Sequence, residues 1–324
     1  MKIKLIGDMH LGKKFPYTTN KSAAIFEELR YKILAKHTQG KFIQLGDLFD
    51  DYSVSDNVLV QGYRWMENCV AALAGNHDVS NNTEKSSAIK LLRDDLGINV
   101  AWIDYCVHTI GNTDFHLVPH QLTQDDFEGV LDSLEPGSRL NVLVLHCNYG
   151  DRAGVITENY LRTDRAKELS KKFHLIVSGH EHNISKPLKN LIMLGSVMPF
   201  SFGEMNTKYV MDYDCETGNY ELIPTWVDGS ARQVQFQDFL DTPIHQEFIE
   251  VMGSLDVSQA AQVNKRIASL YKDTDVIAIK NSTAIYRHEK EADELQQPQD
   301  WLSQVRAQCS KEQALVLDSL LGEI

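Results

Sequence analysis

Aspartate, asparagine and histidine recur in five short groups along the first part of the chain. They are Asp8-Met9-His10, Gly46-Asp47-Leu48-Phe49-Asp50, Gly75-Asn76-His77-Asp78, His146 alone, and Gly179-His180-Glu181-His182. Carboxylates, imidazoles and one amide oxygen make a mixed O/N donor set without thiolate, which suits Mn²⁺ or Fe and also admits Zn²⁺. A carboxylate such as Asp47 can bridge two cations. The expected ligands of the first metal are Asp8, His10, Asp47 and His182; those of the second are Asp47, Asn76, His146 and His180. Two cations roughly 3.5–4 Å apart can grip both oxygens of a phosphoryl group and activate a bridging water. His77 stands next to a ligand and before Asp78. It is assigned as the acid or charge stabiliser acting on the phosphate or the leaving 3′ oxygen, with Asp78 fixing its ring and favouring the imidazolium.

Each group alone is a weak signal. Asp-x-His is common as a surface or core pair, Asn-His-Asp often only makes a turn, and Gly-His-x-His could be a mononuclear site. The information lies in their joint occurrence, in this order, each at the C-terminal end of an expected strand, where ligand sites of open α/β sheets form. Gly7, Gly46, Gly75 and Gly179 precede the ligands and allow tight turns and close backbone approach. The other histidines read differently. His37, His108, His174, His245 and His288 are expected to be surface or packing residues, and His116 to lie within a strand. His120, just past Val118-Pro119, is weighed as a site-lining residue.

The elements that must position these groups are legible as short apolar runs: Lys2–Ile6, Lys41–Leu45, Val70–Leu73, Phe115–Val118, Asn141–Leu145, Leu175–Ser178 and Ile192–Leu194. They read as strands of sheets covered on both faces. Ser22–His37 has helical spacing (Ile25, Leu29, Ile33, Leu34) with Ser22 as the expected N-cap, and residues 84–96 and 164–172 read likewise. The class is α/β with a layered core. Tyr209–Asp214 and Tyr220–Ile223 read as a late hairpin. After Asp228-Gly229-Ser230 the pattern changes to a small mixed unit, with strands at Glu247–Met252 and Val276–Ile279 around a helix at Ser258–Tyr271. Residues 289–297 read as a polar linker, and Asp300–Leu321 as an amphipathic helix.

The 324 residues carry a net charge of −13, with 43% hydrophobic and 24% charged positions. The acidity is uneven: residues 1–200 hold 24 acids and 22 bases, residues 201–324 hold 21 acids and 10 bases. A polyanionic substrate would be tolerated by the first part and repelled by the second. Basic residues near the motifs that could track a phosphate backbone are Lys13 and Lys14, then Arg152, Arg162, Arg165, Lys167, Lys171 and Lys172; a solvated helix face explains the latter group equally well. Five scattered cysteines (Cys69, Cys106, Cys147, Cys215, Cys309) without a CxxC pair point to a reducing compartment. With no apolar run of membrane-spanning length and no signal-peptide pattern in MKIKLIGDMHLG, the expected location is cytoplasmic.

Taken together, the five motifs resemble the calcineurin-like metallophosphoesterase superfamily over roughly residues 1–225. Finer features are similar to its SbcD-type DNA-repair nuclease branch. These are Asp-Met-His-Leu-Gly (8–12), Gly-Asp-Leu-Phe-Asp (46–50) with its additional Asp50, Val-Leu-His-Cys-Asn (144–148), and Gly195-Ser196-Val197-Met198-Pro199-Phe200-Ser201-Phe202-Gly203-Glu204. The last segment lies outside the metal ligands and so discriminates within the superfamily. The resemblance implies a β-sandwich core flanked by helices (1–228), a small α+β capping domain (229–290), and a linker with a helical partner-binding segment (291–324). It further implies Mn²⁺-dependent endonuclease and 3′–5′ exonuclease activity on DNA, an SMC-like ATPase partner of the SbcC type, and a homodimer. Two readings from other classes stand beside it: a small-molecule or cyclic-nucleotide phosphodiesterase using the same metals, and a structural subunit with a vestigial site, against which the full ligand set argues.

Overall fold

The computed structural model describes residues 1–79, 87–151, 158–227, 231–244 and 247–285. In chain order the elements are β1 (Lys2–Ile6), α1 (Asn20–His37), β2 (Phe42–Gln44), α2 (Asp56–Met66), β3 (Cys69–Leu73), α3 (Ala88–Leu96), β4 (Asn99–Ala101), β5 (Cys106–Ile110) and β6 (Thr113–Val118). They continue as α4 (Gln124–Asp132), β7 (Leu140–Tyr149), β8 (Tyr160–Leu161), α5 (Thr163–Lys172), β9 (Leu175–His180), β10 (Ser185–Leu188), β11 (Leu191–Met193), β12 (Lys208–Asp214) and β13 (Tyr220–Trp226). The remainder comprises β14 (Ala231–Gln235), α6 (Phe236–Asp241), β15 (Phe248–Met252), β16 (Ser254–Leu255), α7 (Val257–Asp273), β17 (Ala278–Asn281) and β18 (Ala284–Ile285).

Two large sheets carry the fold, in the orders β13-β12-β1-β2-β3-β4 and β10-β11-β9-β7-β6-β5. The apolar runs alternate sides as period-2 geometry requires. Ile3, Leu5, Phe115, Leu117, Val142, Val144, Leu175 and Val177 meet between the sheets. Val118, Leu143, Leu145 and Ile176 face the other way and pack with Phe127, Leu131, Ala166 and Leu169 of α4 and α5. On the first sheet, Ile6, Phe42 and Ala72 pack outward with Phe26, Ile33, Leu34, Trp65, Met66, Ile89 and Leu92 from α1, α2 and α3. The result is helix, sheet, sheet, helix: the layered α/β architecture expected from sequence, with the central strands of both sheets buried and the edge strands β5, β10 and β13 partly exposed.

Helix α1 begins earlier than its apolar spacing suggested. Its N-cap is Thr19, and Ser22 is the third residue of a capping box in which each side chain meets the other's backbone N–H. A Ser three residues after a Thr competes as a cap signal, and reciprocal bonding settles it. The buried face also runs through Phe26, Arg30, Ile33, Leu34 and His37, while Ile25 and Leu29 are only partly buried. Strand β7 runs past the expected end at Leu145 to Tyr149, because Asn148 and Tyr149 pair with β8 and His146 and Cys147 pair with β9.

The chain divides into two compact units. The first comprises Met1–Gln233, Ile244–Glu250 and Leu270–Lys280. The second comprises Val234–Pro243, Val251–Ser269 and 281–324, of which α6, most of α7 and the β16–β18 pair are described. The expected helix at 300–321 and the linker at 289–297 lie outside the described residues, as do His245 and His288. Among the described residues no helix is long and apolar enough to cross a membrane.

Candidate metal centre

Parallel pairing of β1 with β2 and β2 with β3, and of β7 with β9, brings the C-terminal ends of these strands together within the first unit. The loops after β1, β2 and β3 carry Asp8, His10, Asp47 and Asn76, while His146 lies within β7, His180 ends β9 and His182 follows it. Asp8, His10, Asp47 and His146 are all at most 1% exposed. Asp8 is fixed by the His180 amide, which donates to both of its carboxylate oxygens at 3.2 and 3.0 Å. The amides of Met9 and His10 both donate to the Asp47 carbonyl at 3.0 Å, tying the first loop to the second.

The side chains converge as two overlapping sets. His10 Nε2 lies 3.0 Å from His182 Nε2 and 3.5 Å from Asp47 Oδ2, while His182 Nε2 is 3.8 Å from Asp8 Oδ2. On the other side His146 Nε2 is 3.3 Å from the same Asp47 Oδ2 and 3.1 Å from Asn76 Oδ1, and His180 Nδ1 is 2.9 Å from that Asn76 oxygen. Among the described residues, Asp8, His10 and His182 form one group able to hold a cation, and Asp47, His146 and His180 another. The two imidazole nitrogens are within N–H···N hydrogen-bond distance of each other, and the same separation lets both serve one cation. All seven expected ligands are thus assembled, with Asp47 shared between the sets, and the donors fit two divalent cations of borderline hardness.

The backbone is bent to achieve this. Among the described residues four non-glycines have positive φ, and three of them are expected ligands: His10 (42°), Asp47 (52°) and His180 (76°). Such conformations cost about 1–3 kcal/mol each and persist where surrounding bonds over-determine them. Close packing of the loops also explains two of the glycines. A Cβ on Gly75 would lie 2.1 Å from Asp47 Oδ1, and one on Gly46, at φ +96°, would lie 2.2 Å from His146 Nδ1.

The charges are matched internally. Burial pushes the Asp47 carboxyl upward, but His146, His10 and His77 outweigh it and hold it well below the usual carboxylate range. His146 is raised to about 9 against burial by Asp47 and Asp8. This proton must leave when a cation takes Nε2, so cation binding is coupled to proton release. His180, mainly through burial and then His146, is lowered to about 3.

His77 is half-buried beside His10, ring centroids 4.9 Å apart. Its expected partner is different from the one found. Nδ1 lies 2.8 Å from the Asp50 carbonyl oxygen. Asp78, fully buried, instead accepts from the amides of Leu48 (3.3 Å), Phe49 (3.1 Å) and Gly75 (3.0 Å). The tight turn after Asn76 points the Asp78 carboxylate inward at the neighbouring loop, away from the ring one residue before it. His120 is buried, its amide donating to the Ala74 carbonyl at 2.9 Å. It stands within electrostatic range of His146, Asp47 and His77, and burial followed by His146 lowers it to about 4. His116 lies within β6 as expected, with Nε2 3.0 Å from Asn141 Oδ1.

Several contributors were not assigned a role from the sequence. Glu204 Oε2 lies 3.0 Å from His182 Nδ1, and Asp50 Oδ1 3.3 Å from His10 Nδ1. Arg30, 1% exposed, donates to the carbonyls of His10 (2.8 Å) and Lys13; Lys208, also 1% exposed, donates to the His182 carbonyl (2.7 Å) and Asn183 Oδ1 (2.9 Å). The signal for both was a cation on an apolar face. Arg30 falls at helical spacing from Phe26 and Leu34, and Lys208 at strand spacing from Val210.

The basic residues proposed as phosphate contacts separate. Lys13 Nζ is held by Asp50 at 2.8 Å, and Lys14 is exposed. Arg165 is surrounded by Glu128, Asp132 and Glu168, Lys167 pairs with Asp164, and Lys172 with Glu168. Arg162 is exposed at the N-cap of α5, and Arg152 lies outside the described residues.

A profile of the calcineurin-like phosphoesterases matches residues 1–183. The chain is 27% identical over 212 residues to an inferred phosphoesterase, 244L, of Invertebrate iridescent virus 6, covering 60% of this chain and 72% of the viral protein. It is 27% identical over 215 residues to a second, 078R, of Invertebrate iridescent virus 3, covering 62% and 59%. The chain thus spans less than two thirds of the length of the latter. A solved archaeal phosphodiesterase aligns over 69% of this chain and 99% of its own at 17% identity with a TM-score of 0.35, too low for shared architecture to be argued from it. With the family profile covering more than half of the chain and a dinuclear donor set assembled at the strand ends, the chain belongs to the calcineurin-like phosphoesterase family, whose members are metal-dependent hydrolases of phosphoesters.

Proposed function

We propose that the chain is a Mn²⁺-dependent DNA endonuclease and 3′–5′ exonuclease, the nuclease subunit of an SbcC/SbcD-type repair and recombination complex. The observation that carries this reading is the 195–204 segment. It is similar to the nuclease branch rather than to the superfamily at large, and its Glu204 reaches His182. The feature that separates the branch is therefore coupled to the ligand set.

Two divalent cations, when bound, supply Lewis-acid polarisation of the phosphodiester and a water made nucleophilic at neutral pH. The residues of the chain do the rest. Asp47 spans both positions, while Asn76, His146 and His180 hold one side and Asp8, His10 and His182 the other. The hydrogen bond from His77 Nδ1–H to the Asp50 carbonyl orients the ring and leaves Nε2 for the phosphate or the leaving 3′ oxygen, to which it donates as the imidazolium. Backbone phosphates, rather than bases, supply affinity, and Lys14, Arg162 and Lys171 are exposed cations among the candidates for it. The ATPase partner and the dimer rest on the resemblance alone.

The test is a gel assay of purified protein on linear double- and single-stranded DNA with Mn²⁺. Wild type degrades DNA, and His77→Ala slows it by about 100-fold or more while still binding Mn²⁺. Hydrolysis of nitrophenyl phosphodiesters without DNA cleavage, with or without the ATPase, would replace this reading with a small-molecule phosphodiesterase.

A further inference from the structure

Beside the cation centre, within the first unit, lies a cavity of about 690 Å³ walled by the loops after β4 and β6 and by α4. Its size falls within the range of small-molecule pockets, about 300–1,000 Å³. Two residues join it to the centre. Val79 directly follows Asp78, and His120 lines the cavity while lying close enough to Asp47 and His146 for their charges to act on it. His120 is 7% exposed, and its Nδ1 has no hydrogen-bond partner among the described residues. A buried ring nitrogen left unpaired is unfavourable unless a ligand meets it.

The walls are aromatic and held in place. Trp102 packs against the core beneath α1, α2 and α3, and Tyr105 against the core beneath α4 and α5. Gln121 ties the two loops together: its Nε2 donates to the carbonyls of Ile103 (2.8 Å) and Pro119 (3.1 Å), and its amide to Asn159 Oδ1 (2.7 Å). Asp104, Asp125 and Asp126 stand on the border, with no Lys or Arg among the described lining residues, so a phosphate is repelled from the cavity. Asp125 and Asp126 lie in the first turn of α4, which favours negative charge, and Thr123 Oγ1 donates to Asp126 at 2.7 Å. Their charge is thereby partly offset, which favours a neutral planar occupant over an organic cation.

The occupant is therefore planar, uncharged and aromatic, carries polar ring atoms for His120, and enters as part of an ester whose phosphate sits at the cations. A nucleobase meets each requirement. We propose that this cavity holds the base of the nucleotide whose phosphate is attacked, stacked against Trp102 and Tyr105 and hydrogen-bonded to His120. Stacking tolerates any sequence because every base has a π-face. The pocket thus selects nucleotides over simpler phosphoesters without choosing among bases, and phosphate contacts still carry the affinity for long DNA. The inference rests on the phosphoesterase reading of the cation centre and holds for a DNA nuclease and a nucleotide phosphodiesterase alike.

The experiment is calorimetric titration of the Mn²⁺-loaded full chain with dAMP, dTMP and inorganic phosphate. The phosphate group is common to all three, so the difference reports the base. Both nucleotides are expected to bind about 5–150-fold more tightly than phosphate, the worth of one base–aromatic stack. Trp102→Ala and Tyr105→Ala remove most of that advantage and leave phosphate binding unchanged, while Trp102→Phe keeps it. Thermal melting checks the fold, and Tyr105→Ala carries the test if Trp102→Ala fails it. Nucleotides that bind no better than phosphate, or an advantage that survives Tyr105→Ala, overturn the proposal. Phosphocholine binding more tightly than dAMP also overturns it and makes the cavity an organic-cation site. No cleavage is read, so the two readings fail separately. Base binding without DNA cutting in the gel assay removes only the nuclease reading, and DNA cutting without a base advantage removes only the pocket.

Discussion

His10, Asp47 and His180 show how a single residue can be held in a conformation that its own chemistry disfavours. Each has a positive φ without being glycine, and each is pinned by bonds to the other loops. Asp78 ties the loops after β2 and β3 together, its one carboxylate gathering amides from both. Its pKa is raised to about 7 by burial and then by Asp47, against the lowering effect of the Gly75 and Phe49 amides. Asp78→Ala leaves three buried amides without an acceptor, and each such group costs about 1–3 kcal/mol. The expected loss is roughly 3 kcal/mol or more in urea unfolding of the metal-free protein, with Asp78→Asn losing less because one oxygen remains. Undiminished stability of Asp78→Ala alongside lost activity would restore the role of ring-orienting partner for His77.

Helix α1 links the first cation loop to the core: Arg30 rises from its buried face to the His10 carbonyl, and Phe26 packs beneath. At the far end, His37 is 4% exposed, although a helix C-terminus would by itself favour its charged form. Burial first, then Lys36 and Lys4, lower it to about 4. The unfolded chain, with an ordinary histidine near 6.5, therefore takes up this proton before the folded chain does. Stability from keeping His37 neutral is complete above pH 6.5 and is lost as pH falls from 6.5 towards 4, at a slope of at most about 1.4 kcal/mol per pH unit. Denaturant unfolding of His37→Gln should lack this component, so its difference from wild type shrinks across that window and is flat above it. A difference independent of pH would mean that His37 titrates normally in the folded protein.

At the scale of the whole molecule, the first unit contains every described ligand, and its sheets are closed by helices on both outer faces. The excess acidity lies after residue 200, so attraction of a polyanion must come from the cations at the centre and from nearby basic side chains. Removal of residues 300–324 is expected to abolish binding of an SbcC-type ATPase, read by pull-down, while Mn²⁺-dependent cleavage continues. Loss of the fold on this deletion would show that the segment belongs to the chain's own core.

The sequence by itself determined the ligand inventory, the strand runs beneath it and the layered α/β class. Those depend on residue type and period, which are local: Val142 and Val144 against Leu143 and Leu145 already divide two cores. Adjacency in sequence misled where direction in space mattered. Asp78 follows His77 yet turns to Leu48 and Phe49, and Ser22 looked like a cap while Thr19 supplied one. Only the tertiary structure decided which carboxylates stand behind which histidines, and that Arg30 and Lys208 grip the ligand loops. Those contacts join residues 20 to 40 positions apart, set by how segments from different strands meet, and no spacing rule reaches across them.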